Sequence, residues 1–253
     1  MKPSVAPKAG VLIAARYGFP PNRLELCGPG ESRAILDYLA ERTADRGLEE
    51  ILRQFAGAYP YLTFIAAANE IPDPFDRRVV EAYWVGNDLL DRVRMTDFYR
   101  HLEERFGKRM PKRLFEAMLG QIPDGARPHH NFHVFAMPIR TGRVEIAHTL
   151  RTMDECRISW GTVRAVQGDE IVVERRPLVL RNDDLALGGA EVRTIRRGFQ
   201  GKIFAEARPG DAVSIHWSCA CEILTAAQLT HLKRETRVHL ELVNRRHRLT
   251  FLT

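Results

Sequence analysis

One apolar stretch near the C-terminal end of the chain contains a histidine and two cysteines. His216, Cys219 and Cys221 lie within residues 209–229, whose sequence is PGDAVSIHWSCACEILTAAQL. Imidazole and thiolate groups are the side chains that bind zinc, iron and copper in proteins. A fourth residue, Cys156, lies at the start of an earlier stretch with the alternating pattern of a strand. The direction of each side chain decides which of the four can reach one metal ion.

The spacing in this stretch separates the histidine from the two cysteines if the strand is continuous. Successive side chains of a strand point to opposite faces, so residues two apart share a face. Cys219 and Cys221 then share the bulky apolar face, and His216 lies among Ala and Ser on the other. We therefore expect both cysteines to be small buried core residues. We expect His216 to have space beside its ring for a ligand.

A second group of histidines occurs in the sequence RPHHNFHVFAMP. If this segment is helical, His129 and His133 lie one turn apart on one face, and His130 is close to His133. That spacing suits a divalent metal or a haem iron. Alternatively, Pro128 begins a short helix whose phenylalanines pack while the histidines bond to nearby loops. The sequence leaves both alternatives open.

Residues 30 to about 120 have the apolar periodicity of helices. Ser32 is a candidate N-cap, Pro74 suits a first helical turn, and Thr96 is a candidate helix start. The sequence PKRLFEAMLGQI begins another helix with an early proline. Short joints rich in Gly and Pro predict antiparallel packing of these helices.

The segment AARYGFPPNRLELCGPGES, before the first of these helices, has an unusual composition. We interpret it as a structured loop that covers the helices. Arg16, Tyr17, Asn22 and Cys27 are candidates to line a pocket there.

The pattern changes near Asp154, from helical periodicity to the alternation of strands. The sequence QGD is placed as a hairpin turn between two strands, and the Pro-Gly pair at 209–210 marks another turn. Thr225 and Gln228 then have the spacing of a capping box before a C-terminal helix. The predicted fold class is α+β. An all-α helical domain, residues 1–150, precedes a small β-barrel with a C-terminal helix, residues 154–253.

The composition is that of an ordinary globular protein. Of 253 residues, 45% are hydrophobic and 28% are charged. The sequence has no apolar run of the roughly 18 residues that a membrane span needs, and the patch VLIAA is too short for a signal-peptide core. Four cysteines with irregular spacing do not indicate a disulfide framework. We therefore expect a cytoplasmic protein that does not contact the membrane.

The formal net charge of +6 raises the question of a nucleic-acid partner. Most basic residues are arginines mixed with acids, and no RNP, KH or zinc-finger pattern accompanies them. A solvated helix face or an acidic protein partner accounts for the charge equally well. Phosphate-loop, dinucleotide-binding and nucleophile-elbow motifs are also missing from the sequence, which argues against nucleotide- or serine-dependent chemistry.

The C-terminal part, about residues 154–246, resembles the HypC/HupF family of [NiFe]-hydrogenase maturation chaperones. The resemblance lies in CRISWGTVRAVQGDEIVV and, later, PGDAVSIHWSCACEILTAAQLTHL. Cys156 falls on the cysteine of the family, Gly161 on its glycine, and His216 on its histidine. Trp160 and Ser218 replace a proline and a glycine of the family pattern. The helical part resembles an uncharacterised bacterial helical domain with no assigned activity.

The resemblance implies an OB-like barrel and an accessory protein that is not an enzyme. Members of the family carry an Fe(CN)2CO iron fragment and pass it to the hydrogenase large subunit, with other maturation proteins as partners. Cys156 and His216 would hold the fragment, since a thiolate and a neutral imidazole suit such iron. Metal binding requires the thiolate form of the cysteine. Arg157 or a protonated His216 is a candidate to favour that form.

Two other functions are compatible with the same residues. The first is an enzyme that binds haem or another metal at His129, His130 and His133, for instance to supply a diatomic ligand such as carbon monoxide. The second is a docking scaffold, in which the barrel binds another maturation protein without metal chemistry.

Overall fold

Helices form the N-terminal part of the protein, and strands form most of the C-terminal part. The structure is a computed structural model that describes residues 9–107, 113, 125–136 and 147–250. The α+β fold class predicted from the sequence is confirmed. The α-helices in these residues are α1 Ala9–Arg23, α2 Ser32–Glu41, α3 Arg46–Arg53, α4 Tyr59–Ala68, α5 Arg77–Trp84, α6 Met95–Phe106, α7 His130–Ala136, α8 Leu150–Cys156 and α9 Ala226–Thr250, with a short 3-10 helix at Leu90–Arg92.

The first helix, α1, occupies much of the segment that the sequence predicts to be a loop. Most of its residues are buried, including Tyr17 and Phe19, and its last turns contain Pro20 and Pro21. A helix that is apolar all round shows no amphipathic stripe, so periodicity does not reveal it. The helix packs closely on its neighbours. A Cβ added at Gly10 would lie 1.9 Å from a backbone oxygen before α5.

Several predicted helix starts change in the structure. Ser32 is the first residue of α2, and the residue before it makes no capping bond, so the predicted N-cap is wrong. Helix α6 begins at Met95, one residue before Thr96. The side-chain caps of α3 and α5 use aspartates, as where the Asp45 side chain accepts a hydrogen bond from an amide of α3. The helix predicted for PKRLFEAMLGQI lies outside the described residues.

The start of the C-terminal helix α9 confirms the predicted capping box. The amide of Gln228 donates to the Thr225 hydroxyl at 3.2 Å, and the amide of Thr225 donates to the Gln228 side chain at 2.9 Å. Two orphan amides at the helix start are thereby satisfied.

Five strands close into a barrel in the order β1-β2-β5-β9-β8. If the five barrel strands are numbered 1 to 5 along the chain, their order around the barrel is 1-2-3-5-4, as in five-stranded OB-type barrels. Strands β5 and β9, the third and fifth of the five, are parallel. The hairpin predicted at QGD joins β1 and β2, and Gly168 there has a φ of 56°. The strands are β1 Ser159–Gln167, β2 Glu170–Arg175, β3 Leu178–Arg181, β4 Asp184–Leu187, β5 Glu191–Arg196, β6 Gly198–Phe199, β7 Lys202–Ile203, β8 Ala212–His216 and β9 Cys219–Ile223.

The stretch that contains the histidine and the two cysteines forms a hairpin, so the prediction of one continuous strand is wrong. Strand β8 ends at His216, and β9 begins at Cys219, its partner across the ladder. Trp217 and Ser218 form the turn with φ values of 47° and 57°. Positive φ at both positions is typical of a type I′ turn, whose usual signal is Asn-Gly. Trp-Ser does not carry that signal.

The two cysteines of β9 are buried, as the sequence predicts. Cys219 is 1% exposed and Cys221 0%. Burial raises the pKa of the Cys219 thiol to about 12. Both are therefore inert thiols at neutral pH.

One hydrophobic core extends through the helices and the barrel. The same cluster of buried side chains includes Phe19 and Ile65 from the helices and Val173 and Ile215 from the barrel. Division into domains at 1–150 and 154–253 stays a prediction, although helices change to strands near that point. No helix within the described part of the chain is both long and apolar enough to cross a membrane.

Candidate metal centre

Three possible metal ligands lie close together where three elements end. His130 is the first residue of α7, Cys156 the last of α8, and His216 the last of β8. One ligand atom from each lies within 4.8 Å of the others. The structure therefore brings together Cys156 and His216, which are 60 positions apart in the sequence, and adds His130 to them. A small movement of the three side chains toward one another would place their ligand atoms around one metal ion.

His216 is held in the form that binds metals. Its Nδ1 lies 2.8 Å from the backbone oxygen of Tyr17, which can only accept a hydrogen bond, so Nδ1 carries the proton. The lone pair is therefore on Nε2, which is buried and makes no hydrogen bond of normal geometry among the described residues, although the Cys156 backbone oxygen is close enough to raise the pKa of the ring. Burial lowers the pKa of His216 to about 4, which keeps the ring neutral at pH 7. A hydrogen bond from the other ring nitrogen to a carbonyl is typical of metal-binding histidines.

His130 has two hydrogen-bonding arrangements open to it. Its Nδ1 lies 3.1 Å from the Tyr83 hydroxyl, which lies 3.0 Å from the Gly57 oxygen. Its Nε2 lies 2.9 Å from the backbone oxygen of Cys156 and 3.9 Å from the sulfur. The Cys156 oxygen can only accept a hydrogen bond, so in the structure Nε2 carries the proton and Nδ1 accepts from the Tyr83 hydroxyl. A metal would bind Nε2 only after the proton moves to Nδ1, which then donates to Tyr83 while Tyr83 donates to Gly57.

The sequence predicts that Cys156 lies at the start of a strand. In the structure it is instead the last residue of helix α8. The neighbouring Asp154 attaches this helix to the barrel. Its carboxylate accepts hydrogen bonds from the Arg157 side chain and the Leu178 amide, both at 2.9 Å, and from Arg175. A carboxylate with several donors fixes the last turn of α8 and so the position of the thiol.

The residue just before the cysteine connects α8 to the β8–β9 turn. The Glu155 carboxylate accepts a hydrogen bond from the Ser218 hydroxyl at 2.8 Å, and its backbone oxygen accepts one from the Trp217 amide at 2.8 Å. This turn follows His216 directly. The contact therefore sets the position of Cys156 relative to His216.

Asn131 connects His130 to Cys156 in the same way. Its side-chain oxygen accepts a hydrogen bond from the Ile158 amide at 2.9 Å, and its amide donates to Thr236 at 3.1 Å. Asn131 is completely buried. It follows His130 directly, so helix α7 is tied to the segment that follows the cysteine.

The structure does not give Arg157 or His216 the predicted role of favouring the thiolate. The Arg157 guanidinium bonds to Asp154 and, at 2.7 Å, to the Arg176 backbone oxygen. His216 is neutral for the reason given above. The positive charge that favours a thiolate would come from a bound metal, which deprotonates a coordinating thiol.

A cavity of about 40 Å³ lies against the three ligands. A water molecule needs roughly 10–15 Å³ in this measure, so about three water-sized groups fit. Apolar and aromatic side chains form much of the wall, among them Phe55, Tyr83, Trp84 and Trp217. The three ligands form another part of the wall. The space is small and largely apolar, which suits diatomic ligands better than larger molecules.

The structure does not bring His129, His130 and His133 to one point. His129 accepts a hydrogen bond on Nδ1 from the Asn131 amide at 3.0 Å, and its ring stacks on His239 with centroids 5.6 Å apart. His133 borders the cavity, and its Nδ1 lies 3.4 Å from the Tyr61 hydroxyl. Only His130 contributes an atom to the cluster.

The four residues near the N-terminus that were predicted to line a pocket lie at different places in the structure. Cys27 borders the cavity, whereas Arg16 borders a different cavity, lined also by Glu206 and Glu222. Asn22 donates to the backbone oxygen of Cys27 at 2.8 Å and so shapes the loop after α1. Tyr17 contributes its backbone oxygen to His216. Tyr83, Trp84 and Asn131 were not expected at the site, because their spacing matches that of ordinary core residues.

The helices and the barrel together define an α+β protein with a candidate metal centre at their junction. The chain belongs to a family of unknown function, DUF6390, whose model matches residues 6–250. The match includes the helical part and the barrel, so the three ligands all lie within the family region. No curated protein and no solved structure matches the chain.

Proposed function

We propose that the protein binds iron through His130, Cys156 and His216, and that it carries an Fe(CN)2CO-type fragment during [NiFe]-hydrogenase assembly. The observation that carries the proposal is the cluster itself. Three ligand atoms lie within 4.8 Å of one another, and the buried Nε2 of His216 makes no hydrogen bond of normal geometry among the described residues. A buried acceptor without a donor is uncommon in folded proteins. A metal ion would satisfy it.

The ligand types and the space beside them suit this cargo. One thiolate and two imidazoles form a soft to borderline set that binds iron and zinc. Iron with three diatomic ligands and octahedral geometry has three positions left, which matches the number of protein ligands. The cavity of about 40 Å³ gives room for the diatomic groups.

The ligand atoms lie in a buried cluster, although Cys156 as a whole residue is only partly buried. His216 is 1% exposed and His130 7%. The resemblance of the barrel to hydrogenase maturation chaperones supports the hydrogenase large subunit and other maturation proteins as partners. On this proposal the protein is an accessory protein and not an enzyme.

Metal binding is tested first with the metal alone. Cobalt(II) titration of the purified protein should give one site per chain with a sulfur-to-metal absorption band. Cys156→Ala should abolish the band, and His216→Ala and His130→Ala should each lower cobalt affinity by about 10-fold or more. His231→Ala, a histidine on α9 that does not border the cavity, is the matched control. Equal affinity in wild type and all three ligand variants would overturn the site.

The cargo is tested by co-expression with the hydrogenase maturation proteins. Infrared spectra of the purified protein should show cyanide and carbonyl bands, and these bands should be lost in Cys156→Ala. Cys219→Ala, which removes a buried thiol outside the cavity, should keep them. Cobalt binding without these infrared bands would retain the metal site and reject the iron fragment.

The two other functions have less support from the geometry. A haem or metal enzyme built on all three helical histidines requires His129, whose ring packs on His239 instead. A docking scaffold needs no metal. It predicts that Cys156→Ala leaves hydrogenase activity in cells unchanged.

A further inference from the structure

Two of the three tryptophans in the chain border the cavity beside the metal ligands. Trp84 lies at the end of α5 and is 3% exposed. Its ring centroid lies 4.6 Å from that of His130 and 5.6 Å from that of His216. Trp217 belongs to the turn that follows His216. Both indoles therefore border the same cavity as the three proposed ligands.

The indoles of Trp84 and Trp217 each have a hydrogen-bond donor that meets no acceptor among the residues that the structure describes. The Nε1 atoms of Trp84 and Trp217 are both buried and have no hydrogen-bond partner in the described part of the chain. An indole N–H can only donate, and buried tryptophans usually find an acceptor. Two such donors at one small cavity require an explanation, because an unpaired buried donor costs free energy.

Packing explains the rings but not the N–H groups. Trp84 stacks on Tyr17 with centroids 5.1 Å apart and an interplanar angle of 8°. A phenylalanine would keep such a stack and would bury no donor. Trp160, the third tryptophan, is partly buried, does not border the cavity, and has no buried unpaired nitrogen. Within the described residues, only the two tryptophans that border the cavity bury an indole N–H without a partner.

The same cavity also borders the unpaired acceptor of His216. A metal ion satisfies that lone pair, and a small ligand on the metal with its own acceptor atom satisfies the two donors. We propose that Trp84 and Trp217 donate hydrogen bonds to small anionic ligands of the bound metal, the class to which cyanide belongs. A carbonyl ligand is a weaker acceptor, so the two indoles would select for cyanide-type ligands and orient them. This inference rests on the proposed metal site.

Nuclear magnetic resonance gives a direct test, because three tryptophans give three indole N–H signals. The 15N-labelled protein is loaded with zinc(II) and then titrated with azide, a small linear anion. The signals of Trp84 and Trp217 should move downfield with azide, and that of Trp160 should stay in place. Azide without zinc should move none of them.

Matched variants measure how much the donors contribute. Trp84→Phe and Trp217→Phe should each weaken azide binding to the cobalt(II)-loaded protein by about 10-fold, the size expected for one hydrogen bond to an anion. Trp160→Phe is the control and should leave azide binding unchanged. In the iron-loaded protein, both cavity variants should change the cyanide stretching frequencies more than the carbonyl frequency.

The outcomes separate this inference from the proposed function. If metal and azide bind but the indole signals and the azide affinities of the variants do not change, the indoles are not donors and the inference is overturned. Azide that fails to bind the metal-loaded protein overturns it as well. If the wild-type protein binds no metal, the proposed function fails and this inference fails with it.

Discussion

In the proposed site, the hydrogen-bond partner of one ring nitrogen of each histidine bears on whether the other nitrogen is free to bind a metal. The Tyr17 backbone oxygen fixes the tautomer of His216, and no side-chain substitution removes that oxygen. The Tyr83 hydroxyl can support the corresponding form of His130 when it accepts from Nδ1, and it is a side chain that can be changed. Burial raises the pKa of Tyr83 well above its usual value, so the hydroxyl stays protonated and keeps its donor.

We expect Tyr83→Phe to weaken metal binding while leaving the fold intact. The variant leaves His130 Nδ1 without its partner, so the tautomer with a free Nε2 loses support. Loss of such a partner typically lowers metal affinity by about 10–100-fold. Cobalt titration measures the change, with circular dichroism as the check on folding. Tyr38→Phe, a tyrosine of α2 that does not border the cavity, should bind cobalt like the wild type, and an unchanged affinity in Tyr83→Phe would contradict this role.

The sequence allows some of the site to be predicted but not all of it. Cys156 and His216 could be paired because both fall on motif positions of a known family. His130 could only be grouped with His129 and His133, since helical spacing relates residues on one element and not residues on different elements. The contact of His130 with Cys156 depends on how α7 packs on α8, which no local pattern in the sequence encodes. The two unpaired indoles depend on the same packing.

Three element ends meet at the proposed metal site, and the β8–β9 turn fixes one of them. Ser218 adopts a φ of 57°, which is strained for any residue except glycine. Its hydroxyl donates to Glu155, beside the ligand Cys156, and accepts from Arg193 at 2.7 Å. The turn thus combines backbone strain with hydrogen bonds that hold α8.

A comparison of Ser218→Ala with Ser218→Gly separates these two effects. Both variants lose the hydroxyl, but only glycine relieves the strained backbone. We expect the glycine variant to have the higher free energy of unfolding, by ~1–2 kcal/mol, as measured by urea denaturation. Ala186→Gly on β4 has no positive φ at that position and should lower stability instead. A glycine variant at Ser218 that is less stable than the alanine variant would contradict the strained turn.

The sequence predicts those elements that carry a local signal, and it misses those whose conformation depends on tertiary contacts. The amphipathic helices, the hairpin at QGD and the capping box of α9 each carry a local signal. Helix α1 has no polar face that would mark it, and the turn at Trp217 lacks the usual glycine. In both cases contacts with the rest of the protein, and not local preference, determine the conformation.

At the scale of the whole molecule, α1 joins the helices to the barrel. The Tyr17 hydroxyl donates to the Ser214 hydroxyl of β8 at 2.8 Å and lies 3.3 Å from the Glu222 carboxylate of β9. The backbone oxygen of Tyr17 accepts from His216 at the same time, and its ring stacks on Trp84. One residue thus contacts the barrel, the helices and a metal ligand, which indicates that the two parts fold together.

We therefore expect one cooperative unfolding transition, and we expect Tyr17→Phe to shift it as a whole. Phenylalanine keeps the stack on Trp84 but leaves Ser214 and Glu222 without the hydroxyl, which should cost ~1–3 kcal/mol. Hydrogen exchange followed by mass spectrometry, as urea is increased, reports on α1 and on β8 separately. Both should lose protection at the same urea concentration in the wild type, and at a lower shared concentration in the variant. If the barrel keeps its protection after the helices have lost theirs, the two parts are independent domains, and the metal site lies between bodies that can separate.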